Sequence, residues 1–95
     1  MDKRTEYVEK LSAQMVEWDN QINLLKDKVE SAAPGTRSEY SKTIATLQLK
    51  RDEAATKLQG ISAASDEEWE ELKTGTEQIW GEVGTILHDA IMKIT

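Results

Sequence analysis

The sequence predicts an all-α protein: a long antiparallel coiled-coil hairpin followed by a third amphipathic helix, forming a three-helix bundle or the same elements arranged in an oligomer. Two observations carry most of this reading. Apolar residues recur at alternating gaps of three and four in each of the first two segments, and Ala33-Pro34-Gly35 separates them. A wider apolar stripe then follows an acidic helix start near Ser65.

In the first helix, placed at 2–33, the seam is Val8, Leu11, Met15, Trp18, Ile22, Leu25, Val29 and Ala32. A helix of roughly 30 residues is about 45 Å long at ~1.5 Å per residue. The turn is placed at 33–36, where proline disfavours helix in the preceding residue and glycine permits a tight reversal.

The second helix is placed at 37–60, opened by a capping box at Thr36-Arg37-Ser38-Glu39. Its seam is Tyr40, Ile44, Leu47, Arg51, Ala54, Leu58 and Ile61. Folding it back antiparallel opposes Val29 to Tyr40, Leu25 to Ile44, Ile22 to Leu47, Trp18 to Arg51, Met15 to Ala54, Leu11 to Leu58 and Val8 to Ile61. Arg51 is the one charged member. A cation–π contact with Trp18, worth roughly 0.5–2 kcal/mol, would offset its burial; the functional reading of Arg51 is an anion or a partner carboxylate.

A linker at 60–65 leads to the third helix at 66–94, with a second capping box at Ser65-Asp66-Glu67-Glu68. Its stripe runs through Trp69, Leu72, Thr76, Ile79, Trp80, Val83, Ile86, Leu87, Ala90, Ile91 and Ile94 and broadens toward the C-terminal half. That half has more apolar surface than one groove absorbs. Gly75, Gly81 and Gly84 interrupt the helix, either weakening it or letting a neighbouring backbone come close.

Composition removes several function classes. At 95 residues the chain is one domain, too small to enclose a substrate cavity. Without cysteine there is no disulfide scaffold, cysteine zinc site or thiol catalysis. Eighteen acidic against 12 basic residues give a net charge of −6, which opposes binding to nucleic acid. No apolar run approaches the ~20 residues that span a bilayer, and the charged start from Asp2 onward does not read as a signal peptide, so the expectation is a cytoplasmic protein.

The charge is uneven: residues 36–64 carry 5 basic and 3 acidic side chains, residues 65–95 only 2 basic and 8 acidic. Folding the last segment against the middle one relieves repulsion. His88 lies opposite the apolar stripe and has Thr85, not glutamate, three residues before it, so no bundle-type metal set forms. Glu67-Glu68 and Glu70-Glu71 read as a solvated first turn. The serines fall at turns and helix starts with no candidate base, so the reading is no enzyme and no cofactor.

Glu17-Trp18-Asp19, Glu39-Tyr40 and Trp69-Glu70-Glu71-Leu72-Lys73-Thr74-Gly75 followed by Trp80 resemble a group of small bacterial coiled-coil proteins of unassigned function. The Pro34-Gly35 turn and Gly81 and Gly84 depart from that group. The resemblance implies a helical architecture and carries over no activity.

The expected function is therefore a non-enzymatic helical interaction or scaffold protein, a homo-oligomer (dimer or tetramer) associating through its seams. Trp18, Arg51, Trp69, Trp80, Val83, Leu87, Ile91 and Ile94 are its candidate interaction residues. Met15, Val16, Leu24 and Leu49 are further candidates for leftover contacts. The alternative is peripheral binding to lipid or another hydrophobic surface by the third helix, anchored by Trp69 and Trp80.

Overall fold

A computed structural model describes residues 3–94, the side chain of Ile94 excepted. Three helices make up the fold: α1 (Lys3–Glu30), α2 (Pro34–Ala63) and α3 (Glu68–Ile94), with no strand among the described residues. They form a three-helix bundle 50 × 20 × 17 Å in extent.

The first turn is tighter than the sequence suggests. Ala33 is extended (φ −62°, ψ 152°), as a residue before proline prefers, and Pro34 occupies the first helical turn, where its missing N–H costs nothing. The α2 ladder therefore begins with Arg37 N–H donating to Ala33 O at 2.8 Å. Thr36 lies inside the helix, so the expected cap at Thr36-Glu39 does not form, and α2 has no side-chain cap. Nor does Gly35 make the reversal, since no glycine has positive φ. Residues 31–33 make it instead: Ser31 and Ala32 donate to Lys28 O and Val29 O at 3.2 and 3.0 Å, closing α1 at Glu30 rather than 33. Arg37 donates back to Glu30 O at 3.0 Å, satisfying a free C-terminal carbonyl of α1.

At its far end α2 continues through Gly60 to Ala63, because fully buried Ile61 holds the last turn in the core. The linker is thus 64–67 and α3 proper starts at Glu68 rather than 66. Ser65 still caps it: its hydroxyl accepts the Glu68 N–H at 3.2 Å. Arg4 donates to Ala64 O and pairs with Asp66 at 3.5 Å, tying the start of α1 to this linker.

Both hairpin seams turn inward. Leu11, Met15, Trp18, Ile22, Leu25 and Val29 of α1, and Ile44, Leu47, Ala54, Leu58 and Ile61 of α2, are buried, while Val8 and Tyr40 at the ends are partly covered. The two helices run antiparallel as expected, with Arg51 reaching Asp19, the neighbour of its expected partner Trp18. The α3 stripe closes the bundle. Trp69, Thr76, Ile79, Trp80, Val83, Leu87 and Ala90 are buried. Thr76 is tolerated there because its hydroxyl donates to Leu72 O at 3.0 Å. The broad C-terminal half is not surplus surface: α3 packs against both α1 and α2, most extensively against α2. Leu72 alone among the described apolar stripe positions is exposed.

A Cβ at Gly81 or Gly84 would meet no atom within 4 Å, so neither glycine serves a close backbone approach within the bundle; both only weaken α3. Replacing either by alanine is expected to stabilise the protein by about 1 kcal/mol, seen as a raised urea midpoint followed by circular dichroism. An unchanged or lowered midpoint contradicts this.

Candidate interaction surface

The structure places most of the candidate interaction residues in the core. Trp18, Trp69, Trp80, Val83 and Leu87 are buried, as is Met15. Ile91 is half-buried against the core cluster, and the side chain of Ile94 lies outside the described residues. The reading of these residues as contact surface is corrected. Their apolar stripe is covered by the hairpin of the same chain.

What they do instead is fix the registry of α3 on α1. Trp18 and Trp80 pack with ring centroids 4.6 Å apart at 43°, and Trp80 Nε1 donates to Gln14 Oε1 at 2.7 Å. This bond satisfies the indole N–H that burial would otherwise strand. One level along the bundle, Tyr7 and Trp69 pack at 5.9 Å and 48°, with Lys73 Nζ over both rings at 5.2 and 5.4 Å. Tyr7 and Trp18 stand eleven residues apart, as do Trp69 and Trp80. That match was a signal for parallel pairing of α1 with α3, and the seam-by-seam reading passed over it. Tyr7, Gln14 and Lys73 are the partners it missed.

The expected Trp18–Arg51 cation–π contact is also corrected. Trp80 takes the Trp18 ring, and the Arg51 guanidinium swings outward to donate to both Asp19 carboxylate oxygens at 2.9 and 3.0 Å, with Asp52 at 3.6 Å. A bidentate carboxylate matches the planar fork better than an indole face already occupied. The Asp19 hydrogen bonds raise the Arg51 pKa further above its already high value. Arg51 therefore holds a carboxylate of its own chain.

Juxtaposition of basic α2 with acidic α3 appears as Lys50 Nζ on Glu82 Oε2 at 2.8 Å, a hydrogen bond that raises the Lys50 pKa. Lys57 lies beside Gly75 one level away. With Tyr7 and Gln14, these residues define the flank of the hairpin that α3 covers.

The other flank is uncovered. Lys26, Val29, Glu30, Arg37, Ser41, Ile44, Ala45 and Gln48 line an open groove between α1 and α2, and Asp19, Ile22, Asn23, Lys26, Gln48, Arg51 and Asp52 line the groove adjoining it. Their floor is the outer edge of the core at Ile22, Val29 and Ile44. Ser12, Ala45 and Gln48 are exposed along it, and Val16 is 61% exposed on the α1 rim. Leu24, Leu49 and Met92 are also exposed, one on each helix. His88 is exposed. No cluster of three or more His, Cys, Asp or Glu suited to a metal ion occurs among the described residues.

The Tyr7 hydroxyl is buried with no hydrogen bond of good geometry, the Glu77 carboxylate being the acceptor beside it. Burial, together with the nearby Glu77 carboxylate, raises the phenol above its ordinary pKa of 10.0. The unfolded chain thus gives up this proton first, and stability present below pH 10.0 is lost as the pH rises above it. Tyr7→Phe is expected to leave neutral-pH stability unchanged or slightly raised and to flatten the alkaline decline, read from urea denaturation across that range. Trp80→Ala, by contrast, is expected to cost about 3–5 kcal/mol, against under ~1 kcal/mol for the half-exposed Arg51–Asp19 pair when Arg51 becomes methionine; equal losses contradict the assigned roles.

Comparison with protein-family models, with curated proteins and with solved structures returns no match.

Proposed function

We propose that this chain is a non-enzymatic helical interaction or scaffold protein that associates with copies of itself in the cytoplasm. The observation that carries the reading is the uncovered α1–α2 flank on a bundle 50 Å long. The three seams are filled within one chain, so contacts with another molecule fall to the outer faces of the same helices. The two grooves offer long helix surface and no enclosed chamber. This suits recognition of another protein surface better than conversion of a small molecule.

Peripheral lipid binding by α3 has less support. Its apolar face, Trp69 and Trp80 included, is buried against the hairpin, and membrane docking would require α3 to leave the bundle. Its exposed residues include Glu77 and Asp89, which an anionic membrane repels. No helix is long and apolar enough to cross a membrane among the described residues.

Light scattering on the purified chain tests self-association. The expected mass is a multiple of the 10.7 kDa chain; a monomer persisting into the high micromolar range contradicts the proposal.

A further inference from the structure

We infer that the occupant of the α1–α2 flank is a second copy of this chain, seated flank to flank about a two-fold axis. The inference rests on the self-association proposed above and names the surface that performs it.

Charge selects this face. The grooves carry Lys26, Arg37 and Arg51 against Asp19, Glu30 and Asp52, equal numbers of each sign in a protein of net charge −6. Arg51 is already neutralised by Asp19. Two such faces meet without net repulsion. In a two-fold pairing each residue of one copy has its reciprocal contact on the other, so a face of mixed sign can complement itself. The outer face of α3 cannot: Glu70, Glu71, Glu77 and Asp89 are exposed on it, and pairing it with itself brings like charges together.

Side-chain size selects it too. Ser12, Ser41, Ala45 and Ser62 are exposed along the flank, so helices of a second copy can approach closely over the apolar floor. The two grooves adjoin along residues 19–30 of α1 and 37–52 of α2, about 20 Å of helix at ~1.5 Å per residue.

The test is light scattering of the full chain carrying Ala45→Glu with Gln48→Glu, beside a control carrying Gln78→Lys with Thr85→Lys on the outer face of α3. All four positions are exposed, and circular dichroism verifies that each variant remains helical. The flank variant is expected to fall to the mass of one chain, with at least a tenfold weaker self-association, while the control keeps the parent's mass. An oligomer that persists in a folded flank variant overturns this face and leaves self-association standing; a monomeric parent overturns both. Should the flank variant not fold, Gln48→Cys in this cysteine-free chain replaces it. A bifunctional maleimide is then expected to link Gln48→Cys chains into covalent pairs and to spare Thr85→Cys chains, and the reverse outcome overturns the face.

Discussion

The packing of Trp80 of α3 onto Trp18 of α1 is the contact on which the remaining arrangement hangs. An antiparallel hairpin alone would leave one edge of each seam wet, and α3 alone would expose a stripe with two indoles. Trp18 sits where the hairpin seam meets its charged member, Arg51. Because the indole of Trp80 takes that ring, the guanidinium is displaced outward onto Asp19. The same contact sets α3 parallel to α1, brings Trp69 onto Tyr7, and carries acidic α3 alongside Lys50 of α2. Registry, core closure and charge pairing thus follow from one aromatic level in the bundle.

That closure changes what the helices have to offer. Apart from Arg51, the candidate interaction residues are large, apolar and in register, which are also the properties that send a residue into a core. Once α3 is docked, Val83 and Leu87 have no surface to present. What stays outside are the outward faces, where the α1–α2 flank presents small side chains and charges of both signs and α3 presents carboxylates. The α1–α2 flank thus differs in charge from the outer face of α3, and the asymmetry comes from the acidic composition of α3.

Much of the fold was legible because periodicity is a strong signal over 30 residues: the seams and their antiparallel opposition follow from it. The helix ends were less so. Thr36 looks like a cap in isolation, but Pro34 starts the helix two residues earlier, and Gly60 looks like a stop until Ile61 is seen to be fully buried. Local chemistry suggests a boundary and tertiary packing moves it. The site was the least legible part, since a surface is defined by what does not cover it. The flank residues are individually ordinary, and only the position of α3 separates Tyr7, Gln14, Lys50 and Lys57, which lie beside it, from Ser12, Lys26, Ser41 and Gln48, which are exposed on the other side.

The most direct measurement is a pulsed electron paramagnetic resonance distance between single spin labels on Gln48→Cys chains, compared with Thr85→Cys chains, in a protein with no cysteine of its own. The account predicts an intermolecular distance distribution for the Gln48 label that is short and narrow, and one for the Thr85 label that is longer by the thickness of the intervening bundles. A shorter distance at Thr85, or no dipolar signal at Gln48, would contradict it.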